Sequence, residues 1–263
     1  MKKAFSRLYL ILAFVFLYVP ILIMMALSFN ESKSRAVWAG FSLKWYRELF
    51  RSASIVSAVK NTFTIALISS AAATVLGVLA CVGIIAMSRR ARTVTMAVNN
   101  IPLLNADIVT GLSLMLTYVF FGISLGYGTI VLAHITFNVP YVILSVMPRL
   151  KNSSRSTYEA AMDLGASPAR AFFLVVMPEI MPGIVSGFLL SFSMSIDDFI
   201  ITYFTKGAGV NTISTMIYTQ VRRGIVPSMY ALSTILFIVV MVLLLITNFA
   251  PAARAQADAK KGN

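Results

Sequence analysis

The chain has 263 residues, of which 59% are hydrophobic and only 12% are charged. Soluble domains usually carry about 25% charged residues, and this chain places none at all in four long blocks, 8–30, 61–88, 108–148 and 224–253. Because roughly 20 apolar residues suffice for a helix to cross a bilayer, these blocks exclude a soluble globular domain. They indicate an integral membrane protein.

The strong positive charge, a formal +13, does not point to nucleic acid. The basic residues collect at the ends of the apolar blocks, as the positive-inside rule expects. We therefore expect membrane lipid as a partner and no nucleic acid. Cys81 is the single cysteine, so the chain cannot form an internal disulfide.

The first apolar block admits two interpretations. Lys2, Lys3 and Arg7 followed by an apolar run are typical of a secretory signal peptide, and residues 26–28 form a tolerable cleavage site. The apolar run covers 8–27, however, and is longer than the roughly 7–15 residues of a signal core. We expect it to remain as the first membrane helix.

The apolar pattern predicts an all-α, polytopic membrane protein with about six transmembrane helices in a single domain, 1–263. The block 93–148 is too long for one crossing and is interrupted by glycines at 122, 126 and 128, which favour a turn. A short polar tail, 254–263, is expected to be disordered. The predicted helices are 8–28, 61–88, 97–121, 128–148, 183–205 and 229–249.

Six crossings place both termini on one side of the membrane. With the termini inside, the inner segments carry 13 of the 22 Lys and Arg residues, a modest excess. Basic residues at the N-terminus and in the short turn 89–96 count for more than those in longer loops. We predict cytoplasmic termini, outward segments at 29–60 and 206–228, and a cytoplasmic loop at about 149–182.

Small residues recur at every fourth position of the second helix, at Ser69, Ala73, Gly77 and Cys81. This spacing puts them on one face, where small side chains let helix backbones approach closely. The pattern predicts a packing face without a chemical role.

Three acidic side chains lie at the predicted membrane depth, namely Asp107, Asp197 and Asp198. No Lys or Arg accompanies them there, and each carboxylate at a helix centre costs about 2.5–3.5 kcal/mol on insertion scales. Protons, a bound organic cation or a basic residue of a partner chain could compensate this charge. The second alternative makes the three acids candidate residues of a substrate path.

Helical spacing separates the two adjacent acids. Asp197 lies about 100° round the helix from Asp198, so the two cannot point the same way unless the helix is locally unwound. One would then face a cavity and the other a second subunit. Asp198 shares its face with small and hydroxyl side chains, at Gly183, Gly187, Ser191, Ser195, Thr202 and Thr205.

Other polar and aromatic side chains near these acids have weaker signals. Asp107 shares a face of the third helix with Tyr118, and Pro102 offers a kink there. For Tyr118, Phe199 and Tyr203, packing in the membrane is the default interpretation, and a cation–π contact with an ammonium group is the alternative. For His134, a hydrogen bond between helices is preferred over a proton relay.

The cytoplasmic loop begins with the signals of a short helix. Ser156 and Glu159 have the spacing of a capping box. Gly165 suits the left-handed residue that ends a helix. The pattern predicts a short helix followed by a sharp corner.

A second set of helix signals follows the corner. Ser167 is typical of an N-cap, and Pro168 then occupies the first helical position. Pro178 and Pro182 are predicted to end this second helix.

The loop resembles the EAA signature of ABC importer permeases. The matching residues are Glu159-Ala160-Ala161, Gly165 and Val175-x-Met177-Pro178, with methionine where leucine is usual. The resemblance implies that 159–165 is the coupling helix that docks on a separate ATPase, which binds the ATP. Its coupling residues would be Glu159, Ala160, Ala161, Asp163 and Gly165.

Nearly the whole chain, from about residue 15 to 249, is similar to the PotC-type permeases of spermidine/putrescine importers. The resemblance implies a type I ABC importer architecture in a bacterial plasma membrane and a polyamine substrate. It also implies a sister permease, two copies of an ATP-binding subunit and an extracytoplasmic polyamine-binding protein. The likeness rests on Pro20, Ser28-Phe29-Asn30, Gly40-Phe41, Lys44-Trp45-Tyr46, Asp107-Ile108-Val109, His134-Ile-Thr-Phe137, 160–167 and Ser195-Ile-Asp-Asp198.

Catalytic functions and other classes of transporter are the alternatives to this interpretation. The chain has no Walker loop, no zinc-protease motif and no nucleophile elbow, so we expect no catalysis, no metal and no cofactor bound by this subunit. A permease for ferric iron or thiamine would also carry the EAA loop. A proton-coupled secondary carrier would show inverted repeats, and none is visible.

Overall fold

A computed structural model describes residues 2–34, 36–153, 155–223 and 226–242. Within these ranges the architecture is all-α, as predicted, and the one extended pairing is an isolated bridge between Asn30 and Phe41. The helices are α1 (Lys2–Ser28), α2 (Lys44–Arg51), α3 (Ala53–Ala86), α4 (Arg89–Leu104), α5 (Asp107–Phe120), α6 (Tyr127–Asn152), α7 (Arg155–Asp163), α8 (Pro168–Ala171), α9 (Met177–Asp197), α10 (Ile200–Thr205), α11 (Ile213–Arg223) and α12 (Pro227–Val242).

Several of these helices are long and apolar enough to cross a membrane. Four such spans lie within the described ranges, over Tyr9–Ser28, Ala53–Ala86, Tyr127–Asn152 and Pro168–Asp197. The pair α4 and α5, bent by 106°, would form a fifth.

The sixth predicted helix corresponds to α12, a shorter apolar helix. The rest of that prediction, 243–249, lies outside the described residues. The predicted disordered tail, 254–263, also lies outside them.

Three of the predicted helices differ most from the observed ones. The second helix begins at Ala53, well before the first residue of its apolar block. The third breaks after Leu104 and the fifth after Asp197. The predicted turn at the glycines is confirmed, because α5 ends at Phe120 and Gly122 adopts φ +67°.

Pro178 and Pro182 do not end the second cytoplasmic helix, contrary to the prediction. The helix passes from α8 through a π-helical segment, Phe172–Val176, directly into α9. The N–H of Met177 bonds to the carbonyl of Phe172, five residues back. This wider turn changes the hydrogen-bond register just before Pro178, where proline would otherwise disrupt the α-helical pattern.

The described residues divide into two compact units, one within 2–56 and 219–242 and one within 57–218. In the first unit, Asn30 organises the loop after α1. Its side chain donates to Val37 O at 2.8 Å and accepts from Ala39 N at 3.0 Å. The buried Trp45 donates from its indole to Asn30 O at 2.6 Å. Residues within 28–46 that carry the PotC-type resemblance therefore lie close together in the structure.

The second unit is built on close contact among α3, α6 and α9. The small-residue ladder of α3 is buried, so the predicted packing face is confirmed. A methyl group on Gly77 would lie 2.6 Å from the side chain of Val142 on α6. On α9, a methyl group on Gly187 would lie 3.3 Å from the same residue. These glycines let the three helices approach backbone to backbone.

Candidate functional site

A cavity of about 320 Å³ lies within the second unit, where α5, α6, α9 and α10 meet. It contains all three of the acids that the sequence placed at membrane depth. Its described lining contains no Lys or Arg. The lining residues are Asp107, Phe137, Tyr141, Met194, Asp197, Asp198, Phe199, Ile200 and Ile201.

Two breaks in the predicted helices bring these acids together. The bend between α4 and α5 makes Asp107 the first residue of α5, so its predicted place in mid-helix is wrong. The break between α9 and α10 makes Asp197 the last residue of α9 and gives Asp198 an extended backbone, φ −60° and ψ 126°. This local unwinding is the condition under which both neighbours can face one cavity, and both line it.

The three carboxylates differ in exposure. Asp107 and Asp197 are exposed in the chain. The side chain of Asp198 exposes only 8% of its surface. The three acids thus share the cavity but have different surroundings.

The carboxylate of Asp198 accepts hydrogen bonds from the first turn of α10, the helix that follows it. Its Oδ1 accepts from Ile201 N at 3.3 Å, and its Oδ2 accepts from Thr202 N at 2.7 Å and Thr202 Oγ1 at 2.8 Å. A carboxylate in this position satisfies the unpaired N–H groups at the start of a helix. Asp198 therefore caps α10 as well as lining the cavity.

His134 on α6 joins this group to the neighbouring helices. Its Nε2 lies 2.9 Å from Thr202 Oγ1 and 3.4 Å from Asp198 Oδ2. Its Nδ1 lies 2.6 Å from Ser195 Oγ on α9, which in turn lies 3.2 Å from Ser69 Oγ on α3. The predicted hydrogen bond between helices is confirmed. The expectation that Asp198 has no basic partner within the chain is wrong, because the imidazole contacts it.

The two predicted tyrosines do not line the cavity. Tyr118 is buried and packs with Ala133, Phe137 and Ile201. Tyr203 is 46% exposed, and its ring lies 5.5 Å from that of Phe199, which does line the cavity. Tyr203 therefore contacts a lining residue of the cavity and is not itself part of the lining.

Two aromatic lining residues, Phe137 and Tyr141, were not predicted as site residues. Tyr141 follows His134 by seven positions, and this spacing places it on the same face of α6. That pattern was visible in the sequence. Phe137 carried no polar signal that could have distinguished it from a core residue.

The predicted corner of the cytoplasmic loop is confirmed at Gly165, which has φ +86°. Ala166 N bonds to Ala161 O at 3.1 Å and Gly165 N bonds to Met162 O at 2.9 Å. These two bonds define a Schellman motif, in which glycine is favoured. A sharp corner therefore ends α7.

The second helix of the loop begins as predicted. Ser167 Oγ accepts from Arg170 N, and Pro168 takes the first helical position. At the start of α7 the prediction is less accurate, because the helix begins at Arg155 and Ser156 lies inside it. Of the predicted coupling residues, Glu159, Ala160, Asp163 and Gly165 are exposed and Ala161 is half-buried.

Comparison with known proteins places the chain among bacterial permeases. It is 42% identical over 234 residues to the putrescine transport system permease protein PotI of Escherichia coli K12, covering 86% of this chain and 83% of that protein. It is 32% identical over 249 residues to the spermidine/putrescine transport system permease protein PotC of Haemophilus influenzae, covering 94% and 97%. No protein-family model matches the chain.

Solved structures agree on the fold. A bacterial ABC transporter that imports alginate matches with a TM-score of 0.74 at 16% identity, over 96% of this chain and 95% of that one. The MetNI methionine ABC transporter matches with a TM-score of 0.61 at 20% identity, over 82% and 99%. The fold is that of an ABC transporter permease, and with relatives this similar along most of its length the chain belongs to the PotC/PotI family of spermidine/putrescine transport system permeases.

Proposed function

We propose that this chain is the membrane-spanning subunit of an ATP-driven polyamine importer and that the acidic cavity lies on the path of the cargo. The observation that carries this proposal is the meeting of Asp107, Asp197 and Asp198 in one cavity whose described lining offers no Lys or Arg. A cationic cargo would supply the missing positive charge.

The other walls of the cavity suit the rest of a polyamine. Such a molecule is a flexible chain of methylenes between ammonium groups. Phe137, Tyr141 and Phe199 present aromatic surface, and Met194, Ile200 and Ile201 present apolar surface. Aromatic faces attract ammonium groups, and apolar walls accept methylenes.

The same geometry speaks against ferric iron as the cargo. Among the described residues, no three His, Cys, Asp or Glu side chains converge closely enough to hold a metal ion. Spread carboxylates with aromatic walls suit an extended organic cation instead. Thiamine, which is also an organic cation, remains the competitor that an experiment must separate.

The test is uptake by the whole transporter. We expect liposomes that contain this chain, its sister permease and two ATP-binding subunits to take up labelled putrescine or spermidine when ATP and the binding protein are supplied. Omitting ATP is expected to stop uptake. Uptake of labelled thiamine or ferric ion without polyamine uptake would overturn the cargo assignment and leave the transporter class intact.

The partner ATPase is proposed to dock at the corner made by α7, Gly165 and α8, which carries the EAA residues. Its apolar side chains are turned outward, with Leu164 90% exposed and Met162 39% exposed. Burial in a groove of a partner would remove this apolar surface from water. ATP hydrolysis belongs, in this proposal, to the partner and not to this chain.

We expect cysteine labelling to establish the orientation proposed here, with cytoplasmic termini. Segments 29–60 and 206–228 would then lie outside and receive the binding protein, whose acidic surface would complement their Lys and Arg. In intact cells, an impermeant reagent is expected to label cysteines placed at Lys33 and Arg222, both exposed. A cysteine at Leu164 serves as the control and is expected to react only after permeabilisation. Labelling of Leu164 with protection of the other two sites would reverse the orientation.

A further inference from the structure

We propose that His134 is the internal partner and positioning residue of Asp198, which leaves Asp107 and Asp197 as the carboxylates that meet the cargo. The inference deepens the proposed function, on which its cargo part rests. It divides three acids that look alike in the sequence into one that contacts a basic side chain and two that contact none among the described residues.

The hydrogen-bond donors around Asp198 determine where one proton of His134 lies. Thr202 Oγ1 has a single hydrogen, and it donates that hydrogen to Asp198 Oδ2. The same oxygen lies 2.9 Å from His134 Nε2. Because its only hydrogen points to Asp198, Thr202 Oγ1 can only accept a hydrogen bond from Nε2. Nε2 consequently carries a hydrogen in the arrangement seen here, and the imidazole presents a donor toward Thr202 and Asp198.

The other ring nitrogen connects the imidazole to two further helices. Its Nδ1 lies 2.6 Å from Ser195 Oγ on α9, which lies 3.2 Å from Ser69 Oγ on α3. These contacts fix the orientation of the ring, so that Nε2 faces Thr202 and Asp198.

The side chains near the imidazole are acidic. Asp198 lies 3.4 Å from Nε2, and Asp107 and Asp197 line the same cavity as Asp198. Tyr141 is the other titratable side chain of that lining, which includes no Lys or Arg among the described residues. A buried carboxylate is costly unless it is paired and hydrogen-bonded. The backbone N–H groups of Ile201 and Thr202 and the Thr202 hydroxyl donate to Asp198, and His134 is its partner from the neighbouring helix.

His134 does not line the cavity, so it acts through Asp198. It ties α6 to the break between α9 and α10 through Ser195 on one side of the break and Thr202 on the other. Asp197 sits in the same break, as the last residue of α9. Holding the break in place therefore also holds the carboxylate of Asp197 toward the cavity.

A double-mutant cycle tests the pairing without reference to cargo. The assembled complex is purified with His134→Leu, Asp198→Asn and both substitutions, and the thermal midpoint is measured for each. Because the single His134→Leu variant leaves a buried carboxylate unpaired, we expect the double variant to be more stable than His134→Leu alone. His134→Leu combined with Asp107→Asn is the matched control, and its effects are expected to add. Additive effects in both cycles would overturn the pairing.

Uptake tests the positioning role in the same complexes. We expect His134→Leu to reduce the maximal rate of polyamine uptake at least tenfold and Asp198→Asn to restore part of it. His134→Gln, which keeps a hydrogen-bond donor, serves if the leucine variant does not assemble. It is expected to retain more uptake than His134→Leu and to gain less from Asp198→Asn. Rescue that is equally strong with Asp107→Asn would refute the division of the acids. If the parental complex transports no polyamine at all, the proposed function fails while the stability cycle still decides the pairing.

Discussion

Replacing Gly165 with valine is expected to uncouple uptake from ATP hydrolysis while the chain still inserts and assembles in the membrane. Gly165 has φ +86°, a left-handed conformation that L-residues adopt only at a cost. The cost is about 1–2 kcal/mol for an ordinary residue, and a β-branched residue is a still stronger outlier. Because nothing lies within 4 Å of the added Cβ, the penalty acts through the backbone and not through a clash.

The valine therefore has to distort the corner in order to relieve its own strain. The two bonds of the Schellman motif, from Gly165 N and Ala166 N, would be lost or lengthened. The direction of α8 relative to α7 would change with them, and with it the surface offered to the ATPase. Since about 1.4 kcal/mol corresponds to a factor of ten, we expect ATP-dependent uptake to fall at least about tenfold.

Gly165→Asn is the matched control at the same position. Asparagine tolerates the left-handed region because its short polar side chain bonds locally, so this variant is expected to keep most of the uptake. Gly122→Val is a second control, with φ +67° and equally open space but a position in the turn between α5 and α6. It is expected to leave co-purification of the ATPase unchanged. Parental uptake by a well-inserted Gly165→Val variant would remove the coupling assignment.

The corner at Gly165 could be predicted because the residues that begin and end a helix are local signals. A glycine after a helical stretch, a serine before a proline and the spacing between them are all read from neighbouring residues. The α3 packing face was equally local, because a repeat of small residues every four positions defines one side of a helix. Both predictions are confirmed by burial and by backbone angles.

The two helix breaks at the site could not be located in the same way. The residues that flank Asp197 and Asp198 are apolar or small, so the apolar run continues on both sides of the position where α9 ends. What separates α9 from α10 is the capping of Ile201 N and Thr202 N by the aspartate carboxylate. Aspartate is a good helix cap, and this was the available signal. Because Asp198 lies in the middle of an apolar run, the sequence pattern favoured a charge that serves transport and not a helix cap.

The partnership of His134 with Asp198 depends on register between helices. The sequence shows Asp198 and Thr202 four residues apart on one helix and His134 on another. Only the packing of α6 against α9, which close contacts at Gly183 and Gly187 permit, brings the imidazole to those side chains. No local pattern encodes that offset. One of the three acids predicted to lack a basic partner within the chain therefore has one.

Replacing Asp107 with asparagine is expected to abolish most polyamine uptake without loss of assembly. The carboxylate is exposed at the start of α5, lines the cavity and is not the acid that His134 contacts. Asparagine has nearly the same shape, and the loss of charge makes insertion into the membrane less costly. Assembly is therefore expected to be normal. A hydrogen bond to a charged group contributes about 1.5–3 kcal/mol, so any step that uses this carboxylate should slow by roughly 10- to 150-fold.

Asp197→Asn is expected to behave in the same way, because Asp197 is also exposed and lines the same cavity. Asp198→Asn is expected to differ. It removes the charge of a carboxylate that caps α10 and contacts His134, so it should lower the stability of the complex as well as uptake. Uptake normalised to assembled complex separates the two kinds of defect.

Asp107→Glu and Asp197→Glu, which keep the charge, are the controls and are expected to retain more uptake than the asparagine variants. If Asp107→Asn and Asp197→Asn both transport polyamine at the parental rate, these carboxylates do not meet the cargo. The acidic cavity would then be a structural feature of the bundle.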